Sequence, residues 1–138
     1  MVHLSLKPPP LPSTPGQALL SFVEALDSGD LDAAAVCLAR DACFLTRDAT
    51  LIHGRGEIRG ILAQLIAMRF QVQVEQRSML PLGDVSISSE RWKMRFATAD
   101  GASFEQTSQA TVVLRRIDDC WKLLLAAPWG FGAAEFAP

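Results

Sequence analysis

The sequence predicts an α+β fold in which three N-terminal helices pack on a curved antiparallel sheet of four long strands plus short strands. Three observations carry this prediction. Apolar residues recur at helical spacing as far as Leu65. From Phe70 onward the period drops to two and stays there. Turn signals at Pro81-Leu82-Gly83-Asp84, Asp100-Gly101 and Asp118-Asp119 then divide the second half into long segments. Helices grouped ahead of strands place the helices on one face of a sheet.

Each element has a local reason. Thr14 can cap a helix, Pro15 suits its first position and Gln17 completes a capping box. Leu19, Phe22, Val23 and Leu26 then form one apolar face. Ser28-Gly29 ends that helix and Asp30 caps the next, where Leu31, Ala34, Ala35 and Leu38 repeat the spacing. Two short strands, 42–46 and 50–53, bend at Arg47-Asp48. A third helix follows the His53-Gly54-Arg55 junction, with Ile58, Ile61, Leu62 and Leu65 inward. Phe70, Val72 and Val74 alternate with polar residues in the first long strand, and the others cover 85–98, 103–117 and 120–127.

Composition narrows the classes. The chain has 138 residues, the size of a single domain, expected over 14–138 behind a proline-rich arm at 1–13. Thirteen basic and fifteen acidic residues are interspersed, without the basic stripe of a nucleic-acid binder. No apolar run approaches the ~20 residues of a membrane span, and the N-terminus lacks the pattern of a signal peptide. Cys37, Cys43 and Cys120 are odd in number and form no C-x-x-C pair, which suits reduced thiols in a cytoplasm and gives zinc no support. No metal or cofactor is expected.

Asp27-Ser-Gly-Asp-Leu-Asp32, Asp41-Ala-Cys-Phe44, Ile52-His-Gly-Arg55, Ile58-Arg59 and a closing strand with Trp121 resemble the nuclear transport factor 2-like superfamily, in its SnoaL-like and ketosteroid-isomerase-like branch. The resemblance covers residues 14–129 and implies a cystatin-like cone with a cavity between helices and sheet. It also implies a sheet-to-sheet homodimer. The isomerase of this branch needs a carboxylate base, a tyrosine and a protonated aspartic acid. The matching positions hold Thr46, Phe22 and Val113, and the chain has no tyrosine, so that chemistry is disfavoured. The same matching directs Phe22, Thr46, Trp92, Met94, Phe96, Thr111, Val113, Leu125 and Trp129 towards the cavity. Such a lining suits a small, flat, apolar ligand, or else fills the core. Ala110, Val112 and Leu114 would then face outward and need the cover of a second copy.

Two residues offer acid–base chemistry. His53 is the one histidine of the domain and can act near neutral pH, or can shape the helix start. Asp48 is a displaced base or a turn residue. Arg55 and Arg59 make a weak anion site beside a glycine-flanked helix start. Glu90, Arg91, Lys93 and Arg95 read as a charged stretch of one strand with cross-strand partners such as Glu105. The serines lack a nucleophile elbow. The leading expectation is a domain that binds a small hydrophobic ligand. The alternatives are an isomerase, cyclase or dehydratase acting on a polyketide-like or steroid-like substrate with His53 or Asp48 as base, and a non-catalytic dimeric scaffold.

Overall fold

The computed structural model describes residues 12–131. Helices α1 (Pro15–Ser28), α2 (Leu31–Val36) and α3 (Arg55–Ala67) lie among strands β1 (Leu38–Leu45), β2 (Leu51–His53), β3 (Gln71–Leu82), β4 (Val85–Ala97), β5 (Ser103–Ile117) and β6 (Cys120–Ala127). The α+β cystatin-like cone expected from sequence is what forms. Most of the expected arm, residues 1–11, lies outside the described residues, as does 132–138 of the domain. No described helix is long and apolar enough to cross a membrane.

The helix ends follow their local chemistry. Thr14 Oγ1 accepts from the Gln17 amide at 3.2 Å. The Gln17 side chain accepts from Ser13 rather than from the Thr14 amide, so the box is shifted by one residue. Gly29 turns left-handed at φ 74°, closing α1, and Asp30 accepts from the Ala33 amide at 3.0 Å to open α2. Asp27 Oδ1 accepts from the Val72 amide at 3.0 Å, tying the end of α1 to β3.

Helix α2 stops at Val36, two residues short of the expected apolar face. Leu38 instead starts β1 and pairs with Leu123, and the Leu123 amide donates to the Cys37 carbonyl at 2.8 Å. Backbone pairing with a central strand prevails over the continuing apolar repeat.

The strands form one sheet in the order β2-β1-β6-β5-β4-β3. It is not wholly antiparallel, because β1 runs parallel to β6. Strand β6 is central, and accordingly its Leu123, Ala126 and Ala127 are buried. Strand β3 is an edge, where Pro81 costs no ladder hydrogen bond. Asp118 and Asp119 both have positive φ, as a two-residue β5–β6 hairpin turn requires.

Register decides which side chains meet the helices. Trp92, Met94 and Phe96 stand opposite Ser108, Gln106 and Phe104, and Glu90 and Ser88 stand opposite Ala110 and Val112. Directly paired residues share a face, so Ala110, Val112 and Leu114 point inward, and all three are fully buried in the core. This corrects the sequence-based orientation of β5. Thr111 and Val113, paired with Ser89 and Ile87, face the other side. A one-residue slip exchanges the faces of a whole strand, and an apolar run such as Ala110–Leu114 carries no alternation to fix its phase.

Candidate functional site

The inner face of β4 divides into a polar half and an aromatic half. Ser86, Ser88 and Glu90 are completely buried, and Trp92, Met94 and Phe96 continue the same face. Glu90 lies under the sheet's helical cover with three donors around it. Trp92 Nε1 donates to Oε1 at 2.6 Å, and Ser88 Oγ donates to Oε2 at 2.9 Å. Arg77, directly opposite on β3, brings its Nε to Oε2 as an ion pair. Arg77 remains about one-third exposed, so it links the buried carboxylate to solvent. No buried side-chain nitrogen or oxygen among the described residues lacks a partner. A carboxylate held by three donors fixes this wall in place.

Glu90 was missed by reading it with Arg91, Lys93 and Arg95. The signal was present, because Glu90 is two residues before Trp92 and so in phase with the buried face.

The aromatic half leads to a mouth. Phe96 packs on Phe70, Phe104 and Trp129, with centroids at 5.0, 5.2 and 6.5 Å. Strand β6 pairs with β5 only as far as Thr111, so the first half of β5 has β4 on one side alone. The chain beyond β6 folds back there. Ser108 Oγ donates to the Pro128 carbonyl at 2.6 Å, and Trp129 Nε1 donates to Gln106 Oε1 at 3.3 Å. An open cleft of about 560 Å³ results, lined among others by Arg47, Gln106, Ser108, Thr111, Trp129 and Phe131.

The sequence-predicted lining residues do not converge. Phe22, Trp92, Met94 and Phe96 meet in the core, where none is more than 4% exposed. Trp129 stands at the mouth. Thr111, Val113 and Leu125 are mutually neighbouring but on the outer face. Thr46 sits at the β1–β2 bend, where its Oγ1 accepts from the Thr50 amide at 3.0 Å and donates to Asp48. Whichever of Val112, Val113 or Leu114 is matched to the isomerase acid, the position carries no carboxyl.

The two acid–base candidates also lie elsewhere. Asp48 is exposed in the bend, and the Thr46 and Thr50 hydroxyls hold its carboxyl below the usual range, which makes it a weaker base. His53 is exposed on β2 and pairs with Cys43, whose neighbour Phe44 occupies the inner face. Neither side chain is brought to the Glu90 wall. Arg59 is an ion-pair partner of Asp32, and Arg55 donates to the Leu38 carbonyl at 3.5 Å, so both brace α3.

The family model described as a SnoaL-like domain matches residues 16–125. A comparison with functionally curated proteins gave no significant match. Among solved structures, a candidate dehydratase of the nuclear transport factor 2-like family from Streptomyces avermitilis is similar, with TM-score 0.74 and 20% identity over 81% of this chain and 90% of that one. A candidate aromatic ring hydroxylase from Novosphingobium aromaticivorans gives TM-score 0.74 and 19% identity, over 81% and 82% of the two chains. A candidate ketosteroid isomerase from Shewanella frigidimarina gives TM-score 0.71 and 17% identity, over 81% and 91%. At these identities the likeness is one of fold. The cone is shared with these structures, and with most of its length matched by the family model the chain belongs to the SnoaL-like domain family.

Proposed function

We propose that this domain binds a small, largely apolar ligand at the aromatic mouth of the cone. The carrying observation is the cleft over the half of β5 that β6 leaves unpaired, where Trp129 and Phe131 supply aromatic surface and Arg47, Gln106, Ser108 and Thr111 are among the polar groups. Two aromatic side chains beside several polar ones suit a ring-shaped ligand that carries hydrogen-bonding substituents. The deeper cone is occupied by Phe22, Trp92 and Met94, which favours the mouth over the interior. Similar structures named for a dehydratase, an aromatic ring hydroxylase and a ketosteroid isomerase point to small organic molecules as the ligand class. The test is a thermal-shift screen of planar aromatic, polyketide-like and steroid-like compounds on the wild type and on Trp129→Ala and Gln106→Ala. Ligands that raise Tm in the wild type should lose most of that effect in Trp129→Ala. An undiminished shift in both variants would place binding elsewhere, and an empty screen would count against ligand binding.

A second observation favours self-association. Leu80, Ile87, Val113 and Leu125 are consecutive cross-strand partners on the outer face, and Leu80 and Leu82 are more than half exposed. We infer a homodimer that buries this row. The reason differs from the sequence-based one, since the inward residues of β5 are not those in need of cover. Sedimentation of the wild type and of Val113→Lys tests it: a dimer is expected to become a monomer, and a monomeric wild type would end the idea.

A further inference from the structure

The three thiols stand in three environments. Cys37 is buried, donates to the Ala33 carbonyl at 3.3 Å and is pushed up to about 11, chiefly by burial. Cys120 is buried against the Trp121 carbonyl at 3.8 Å. Cys43 alone is partly exposed, and its Sγ lies 3.4 Å from Nδ1 of His53. The two residues are direct partners across the β1–β2 pair, so the ladder fixes their approach. The imidazole is itself exposed on an edge strand. We propose that Cys43 and His53 form a reactive thiol–imidazole pair, and that Cys43 is the site at which apolar α,β-unsaturated carbonyl compounds modify this chain.

The chemistry follows from the contact. The thiolate is the nucleophile, and an imidazole within hydrogen-bond reach takes the thiol proton as the carbon–sulfur bond forms. The sulfur electron pair bonds to the β-carbon of the enone. The carbon–carbon π pair moves to the carbonyl as an enolate. The proton held by His53 is then delivered to the α-carbon. All atoms of thiol and enone remain in the adduct, and no leaving group or oxidant is needed. The partner of Cys43 on its other side is the aliphatic Leu125, the last residue of the row assigned to the homodimer, so the electrophile reaches the sulfur from the β2 edge of the sheet. The charged neighbour on β1, Asp41, is engaged by Arg115 at 3.0 Å. These surroundings favour an apolar enone over a highly charged disulfide.

The test treats the full chain with substoichiometric N-ethylmaleimide at neutral pH and maps the labelled peptides by mass spectrometry over time. Cys43 should react about tenfold or more faster than Cys37 and Cys120, and faster than N-acetylcysteine at equal concentration. His53→Gln should slow Cys43 several-fold without changing the other two thiols or the melting curve. Cyclohexenone should compete better than glutathione disulfide for Cys43. A Cys43 rate unchanged by His53→Gln would reduce the pair to simple exposure and overturn the proposal. So would a rate no greater than that of the buried thiols, and a preference for the disulfide would overturn the ligand class.

Discussion

The indole nitrogen of Trp92 donates to Oε1 of Glu90 at 2.6 Å, two positions back on the same strand and face. The arrangement turns the largest core side chain into a clamp on the one fully buried charged residue among those described. Trp92→Phe removes the only donor shown on that oxygen and should cost about 1–3 kcal/mol for the stranded acceptor, before any loss of volume. Glu90→Gln opposes an amide to the Arg77 donor and should also destabilise. Because both changes act on one network, the double variant should lose less than the sum, with a coupling of about 0.5–3 kcal/mol. Urea unfolding of the four proteins measures it, and additive losses would mean that the network is not a unit.

Gly54 is the hinge of the junction between β2 and α3. Its φ of 89° and ψ of 139° lie where only glycine is at ease, and its amide donates to the Ala42 carbonyl at 2.8 Å. A methyl group there would meet nothing within 4 Å, so any cost of Gly54→Ala is one of backbone alone. That cost should be about 1–3 kcal/mol. A melting temperature equal to wild type would show that the junction relaxes to another conformation.

Asp27 gives the acid side of the stability curve. Partial burial pushes its carboxyl above the ordinary 3.8, outweighing the Val72 hydrogen bond that lowers it, and Glu24 adds to the rise. Between 3.8 and the raised folded value, the folded chain keeps a proton that the unfolded chain has released. The unfolded state then binds fewer protons, so this residue makes stability fall as pH rises through that window. Asp27→Asn ends the titration and keeps an oxygen for the Val72 amide. Its stability relative to wild type should therefore improve from about pH 3 to about pH 7, read as the difference in urea midpoints. A relative loss at pH 7 would show that the Val72 contact needs the charge.

Much of this fold was legible because its signals are local. Thr14, Gly29, Asp30 and the Asp118-Asp119 turn each act on backbone within a few residues of themselves, and each ends or starts an element where expected. The phase of β5 was not legible, since Ala110 to Leu114 is apolar on both faces and only pairing with β4 decides it. Nor was the parallel β1–β6 pair, which joins residues some eighty positions apart. The site suffered from the same non-locality. Glu90 could be found by counting in twos from Trp92, whereas its partner Arg77 required the β3–β4 register. The Cys43–His53 contact likewise needed the β1–β2 pairing.

Cys37 should shape the alkaline side of the curve. Burial pushes its thiol up to about 11 from 9.0, against a smaller lowering by Lys122, while Cys120 adds to the rise. Below 9.0 the thiol is neutral in both states and contributes no slope. Between 9.0 and about 11 the unfolded thiol has ionised and the folded one has not, so the folded state binds more protons and stability falls with pH. The loss approaches about 2 kcal/mol when the pH reaches the folded value. Cys37→Ala removes this titration at the cost of a small cavity. The variant should thus be the less stable protein near neutrality and should close most of that gap by about pH 10.5, as urea unfolding at the two pH values would record. A gap that stays constant would mean that the thiol ionises as readily folded as unfolded, and that the site between α2 and β6 is open to water.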